Sequence, residues 1–216
     1  RTISGTANNA IYLRGTGNTT LYNGAYDNRF VFTGMHCVGS VEMLLDYATA
    51  RAGSHPTMSV GCFHSMFEGC TSLVMAPMLP ATTLTEDCYY AMFSGCTSLN
   101  AAPSLPATTL ANYCYAYMFS SCTSLVLPPA LPATALAEGC YDSMFINCTS
   151  LTTLPNLPAT TIIDDAYEEM FLNCSSIKLS TTETEEYKYE YKIPSTGTGT
   201  NNGGLRRMFY NTGSTF

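Results

Sequence analysis

The pair Met-Phe begins at Met66, Met92, Met118, Met144 and Met170, so it returns every 26 residues without insertion or deletion. The surrounding positions return with it: "CFHSMFEGCTSL" from 62, "CYYAMFSGCTSL" from 88, "CYAYMFSSCTSL" from 114, "CYDSMFINCTSL" from 140 and "AYEEMFLNCSSI" from 166. A fixed period in the range of about 20 to 50 residues marks a chain of stacked units. One unit cannot bury its own apolar face, and its neighbours supply the partner. Five copies exceed the minimum of about three that such a stack needs.

Within a unit, "CYxxMFxxC" places apolar residues at i, i+1, i+4, i+5 and i+8. At about 3.6 residues per turn these fall on one side of a short helix, which predicts helix near 86–94. The column Gly69, Gly95, Ser121, Asn147 and Asn173 holds mostly residue types that tolerate the left-handed conformation ending a helix. Downstream, Leu73, Leu99, Leu125 and Leu151 open an extended segment interrupted by Pro77, Pro103, Pro129 and Pro155. Proline lacks an amide hydrogen, so the strand is expected to be short, about 73–76. A second proline column, Pro80, Pro106, Pro132 and Pro158, leads to Leu84, Leu110, Leu136 and Ile162, which turn inward before the next helix. The expected fold is an α/β solenoid, with short parallel strands on one side of each coil and short helices on the other.

The ends depart from this pattern. Residues 11–34, rich in Tyr, Phe, Val and turn glycines, read as strands and hairpins, and "VEMLLDYATARAGSHPTM" leads into a degenerate first coil. Near the other end Tyr187, Tyr189, Tyr191 and Ile193 alternate with Lys188, Glu190 and Lys192, the period of a half-exposed strand. Met208 then follows Met170 by 38 residues, one repeat plus 12, as expected of a last Met-Phe coil carrying an inserted strand or hairpin. The expected organisation is a β-rich cap and degenerate coil over 1–57, five repeats over 58–177, and a second β-rich cap over 178–216.

Composition narrows the function. Apolar residues make up 46% and charged residues 12%, a balance that argues against disorder. The net charge is −7, and no Lys or Arg lies between Arg51 and Lys178, where Glu68, Glu86, Asp87, Glu138, Asp142, Asp164, Asp165, Glu168 and Glu169 all lie. A phosphate backbone would be repelled by this body, which excludes nucleic acid as a partner. No apolar run approaches the roughly 18 residues of a membrane-spanning helix, so membrane insertion is not expected. The chain opens at Arg1 without Met or a signal-like segment, the expectation for a mature or excised chain.

The residues capable of chemistry read mainly as architecture. Cys88 and Cys96 lie eight positions apart, about 12 Å along a helix, too far for a disulfide. The column Cys62, Cys88, Cys114 and Cys140 ends in Ala166, as expected of small buried apolar groups; bridges between coils are the alternative. No Cys/His cluster has zinc spacing, so no metal or other cofactor is expected. Asp164, Asp165, Glu168 and Glu169 complement a helix start, with calcium as the lesser alternative. His36, His55 and His64 read as surface or capping residues, and nothing gathers a base, a nucleophile and an oxyanion donor, so the chain is not expected to be an enzyme. Tyr89, Tyr115, Tyr141 and Tyr167 belong to the apolar stripe, whereas Tyr90, Tyr113 and Tyr117 interrupt it from outside and form a candidate contact patch.

Through "MFxGCTSL" followed by "LPATTL", residues 56–177 resemble the BspA-like leucine-rich repeat family of bacterial surface proteins. The resemblance implies a curved leucine-rich-repeat coil used for adhesion or recognition rather than catalysis. It points to an extracellular or cell-surface module, or one carried by a phage, that recognises a protein or glycan on a host or neighbouring cell. A structural spacer displaying another domain is the competing reading. Surface columns that vary from coil to coil are the candidate ligand surface: Met75, Ala101, Leu127 and Thr153, with Met78, Ser104, Ala130 and Asn156. All eight are uncharged, and the recurring proline leaves open which column points outward.

Overall fold

The computed structural model describes residues 13–22, 37–177 and 196–213. The hairpin expected over 11–34 and the alternating segment 187–193 fall largely or wholly outside them. Among the described residues the regular elements are a short helix, α1 (Tyr47–Arg51), and two 3-10 turns, Val41–Leu44 and Thr198–Thr200. The Ser40 side chain accepts from the Glu42 amide and the Asp46 side chain from the Thr49 amide, satisfying donors that the first turns leave free.

The segment expected to be helical at 86–94 is not a helix. It is a ribbon of overlapping β-turns, in which the amides of Cys88, Tyr90, Met92, Ser94 and Cys96 each donate to the carbonyl three residues back. Every fourth residue has positive φ: Asp87 at 55°, Ala91 at 49° and Gly95 at 73°. Positive φ at the third position of alternate turns is the mark of type II geometry. The same rhythm holds at Tyr113, Tyr117 and Ser121, at Gly139, Ser143 and Asn147, and at Asp165, Glu169 and Asn173. A ribbon that repeats every four residues turns i, i+1, i+4, i+5 and i+8 inward just as a helix does, which is why the apolar spacing admits both.

The amides that the turns leave over decide between them. Asp87, Tyr89, Ala91, Phe93 and Gly95 donate to the carbonyls of Asn112, Cys114, Ala116, Met118 and Ser120 in the next coil, at 2.7–3.1 Å. The pattern recurs between all neighbouring ribbons, including 165–173 against 202–210 across the longer connection. An isolated two-turn helix is marginal in water, whereas the ribbon gains five bonds to each neighbour without losing its own. The extended side contributes less: only isolated parallel bridges, Met75 with Ala101, Thr83 with Thr109 and Ser40 with Met78, replace the strands expected near 73–76. The proline column explains the shortfall, because it removes a donor from each coil at the same height.

Side chains follow the backbone register. Phe67, Phe93, Phe119, Phe145, Phe171 and Phe209 form one file of near-parallel rings with centroids 5.5–5.8 Å apart. Phe63, Tyr89, Tyr115, Tyr141 and Tyr167 form a second, spaced 5.7–5.9 Å. Leu73, Leu99, Leu125, Leu151 and Ile177 are buried with the methionine file. Ala91 tests the backbone directly. In a helix Ala91→Gly would cost about 1 kcal/mol, but at positive φ it relieves about 1 to 2 kcal/mol of steric strain. The Ala91→Gly protein should therefore melt at a higher temperature than the parent, followed by circular dichroism; a lower midpoint would restore the helix.

Candidate ligand surface

Both candidate columns face outward. Met75, Ala101, Leu127 and Thr153 are exposed, and so are Met78, Ser104, Ala130 and Asn156. Pro77, Pro129 and Pro155 turn inward between the columns, which breaks strict alternation and leaves positions three apart on one face. Exposure is large for such apolar groups: Met75 is 53% exposed, Met78 58% and Leu127 60%. Val38, 78% exposed, extends the strip, because the neighbouring Gly39 carbonyl accepts from the Met78 amide at 2.8 Å and Ser40 bridges to Met78.

Tyr90, Tyr113 and Tyr117 do not join this strip. They sit on the turn ribbon, where rings stack from coil to coil. Tyr22 stacks on His64 at 4.6 Å, His64 on Tyr90 at 4.7 Å, and Tyr90 packs on Tyr117 at 5.5 Å. Tyr90, with His64 on one side and Tyr117 on the other, offers no open platform to a stacking ligand. Tyr113 donates its hydroxyl to Glu138 Oε1 at 2.9 Å, which pushes its pKa up to about 12, and its ring covers Gly139.

The potentially reactive side chains are occupied with packing. All ten cysteines are free thiols, nine of them buried. Burial pushes Cys88, Cys122, Cys140 and Cys174 up to about 12, far from thiolate reactivity at neutral pH. The two cysteine columns differ in a way that residue type alone did not reveal. Sγ of Cys96, Cys122, Cys148 and Cys174 donates to the carbonyl of Phe67, Phe93, Phe119 and Phe145 in the preceding coil, at 3.0–3.1 Å. In the last coil Thr212 takes this place, its hydroxyl donating to Phe171 O at 2.7 Å. The signal was present in the sequence, since Thr212 follows Cys174 by the same 38 residues that separate Met170 from Met208.

His55 Nδ1 lies 2.9 Å from Oε1 of the buried Glu42, which ties the turn at Val41–Leu44 to the segment before the first repeat. Partial burial lowers the pKa of His64, and His36 lies outside the described residues. The acidic residues near 165 hold the last coil: Arg206 pairs with Glu168, Arg207 with Glu169 at 2.8 Å, and Asn202 Nδ2 donates to Asp164 at 2.9 Å. Among the described residues no group of three or more His, Cys, Asp and Glu side chains could hold a metal ion. No helix among them is long and apolar enough to cross a membrane.

Asp142 gives this region a pH dependence. Burial pushes its carboxyl from the ordinary 3.8 to about 6, with Glu168, Glu169 and Asp165 adding repulsion and Ser143 donating a hydrogen bond in the opposite sense. The folded chain therefore binds this proton more tightly than the unfolded chain, and stability falls as pH rises from the ordinary value through about 6. Asp142→Asn should raise the melting midpoint above pH 6, with the gain shrinking as the pH drops towards 4; a gain independent of pH would contradict the assignment. No protein-family model, curated protein or solved structure matches the chain, and the functional reading therefore rests on these side chains.

Proposed function

We propose that the chain is a non-enzymatic binding module of leucine-rich-repeat type, displayed at a cell surface or on a virion, and that it grips a polypeptide surface on a host or neighbouring cell. The observation that carries this reading is the exposed strip of Met75, Met78 and Leu127, flanked by Val38 and Val126. Exposed contiguous apolar side chains mark interaction surfaces. An uncharged strip of methionine and aliphatic groups suits a protein partner better than a hydrated glycan, because its contacts are gained by burying apolar area. Methionine also adapts its shape to a partner.

An extracellular location is compatible with ten free thiols because the structure keeps nine of them buried and burial raises their pKa. The titratable groups moved furthest are thiols and tyrosines raised by burial, which supports a packing role for them rather than catalysis. Met78→Glu combined with Leu127→Glu should abolish attachment to cells or arrayed surface proteins while leaving the unfolding free energy within about 0.5 kcal/mol of the parent. Undiminished attachment by this folded variant would remove the strip as the binding surface. Failure of the parent chain to attach to any protein or glycan array would favour a spacer that displays another domain.

A further inference from the structure

Asn202 opens the last coil. It is exposed, its carbonyl accepts from the Asp165 amide at 3.1 Å as the first rung between the two final coils, and its Nδ2 donates to Asp164 Oδ2 at 2.9 Å. The next residue, Gly203, has φ +77°, which favours glycine, and a Cβ there would lie 2.1 Å from Asp165 Oδ1. The Gly203 N–H has no acceptor among the described residues. Four other asparagines of the turn ribbons, Asn112, Asn147, Asn173 and Asn211, are followed by amides that are tied down: Tyr113 to Glu138 O, Cys148 to Phe145 O, Cys174 to Phe171 O and Thr212 to Phe209 O.

We propose that Asn202–Gly203 is a self-modification site, at which spontaneous deamidation of Asn202 acts as a timer that releases the last coil from the stack. The Gly203 amide nitrogen, giving its proton to solvent hydroxide, attacks Asn202 Cγ; a new C–N bond closes a five-membered succinimide, the Cγ–Nδ2 bond breaks, and the side-chain nitrogen takes a proton from water and leaves as ammonia, regenerating hydroxide. Water then opens the ring at one of its two carbonyls, yielding aspartate or, with the backbone rerouted through Cβ, isoaspartate. No oxidation or reduction is involved. Two ordinary brakes on this reaction, a side chain shielding the following nitrogen and a hydrogen bond holding it, are both missing at Gly203.

The product suits the site poorly. A donor facing Asp164 becomes a carboxylate facing it, with Asp165 and Glu168 close by, and like charges directly opposite in a ladder destabilise it. Arg206 and Arg207 are already engaged by Glu168 and Glu169. Isoaspartate additionally displaces the carbonyl that receives the Asp165 amide. Release of the last coil would expose the amide edge of residues 165–173.

The test is to age the full chain in mildly alkaline buffer at physiological temperature, map the acid products by mass spectrometry, and follow amide hydrogen exchange in parallel. Conversion at Asn202 should run at least about tenfold faster than at Asn112, Asn147 or Asn173. Amides of 203–213 should then exchange faster, while those of 113–148 keep their protection. Asn202→Asp should show the loosened last coil at once. Asn202→Gln, which retains the other Asn–Gly pair at Asn23–Gly24, should stay protected throughout ageing. Conversion at Asn202 no faster than at the other three asparagines would overturn the proposal, as would unchanged exchange in Asn202→Asp.

Discussion

The amide bonds between coils are the constraint from which the rest of this structure follows. Each ribbon splits its backbone donors into two sets, one closing its own turns and one reaching the carbonyls of the next coil. Along the ribbons amide donation runs from each coil to the following one, whereas on the extended side Thr108 and Thr152 donate back to Thr82 and Val126 of the preceding coil. Unpaired buried amides are costly, and this division leaves few of them while holding neighbouring coils in a single register. It also requires positive φ at every fourth residue, a strain accepted at Asp87, Ala91, Tyr113 and Tyr117 as well as at glycines.

Once the register is set, each column becomes a narrow slot with its own chemistry. The phenylalanine and tyrosine files stack ring on ring because coils of identical shape repeat the same side-chain direction. The second cysteine column is a donor slot, in which a thiol or the hydroxyl of Thr212 serves a phenylalanine carbonyl. The first is a size slot that runs from Cys140 to Ala166 and ends at Gly204, where even a Cβ would meet Ile162 Cγ2 at 2.4 Å. At the outer surface the slots vanish, and the columns of Met75 and Met78 vary freely among methionine, alanine, serine, leucine, threonine and asparagine.

The period and the inward residues can be read directly from the chain, because burial in a stack imposes the same residue type at the same place; which of the two variable columns faces out cannot, because the recurring proline breaks alternation, and the structure exposes both. Leu99, Phe93 and Tyr115 are as buried as their spacing requires. The helix at 86–94 was misread for a physical reason: apolar residues at i, i+1, i+4, i+5 and i+8 serve a helix and a four-residue turn ribbon equally well. The discriminating clue is that Asp87 and Tyr113 share a column with Gly61 and Gly139, and Asn147 one with Gly69 and Gly95, which is intelligible only once positive φ is known. That Tyr90 packs between His64 and Tyr117 depends on contacts between coils that a sequence does not show. The role of Arg206 and Arg207 also depended on the register across the longer connection.

The central claim is that the ribbon side is held by amide bonds between coils rather than along a helix. Scalar coupling across hydrogen bonds, measured by NMR on isotopically labelled protein, reads this directly. The account predicts that the Phe93 amide nitrogen couples to the Met118 carbonyl carbon, and the Tyr89 nitrogen to that of Cys114. Coupling of the Phe93 nitrogen to the Tyr89 carbonyl instead, the pairing of an α-helix, would contradict it.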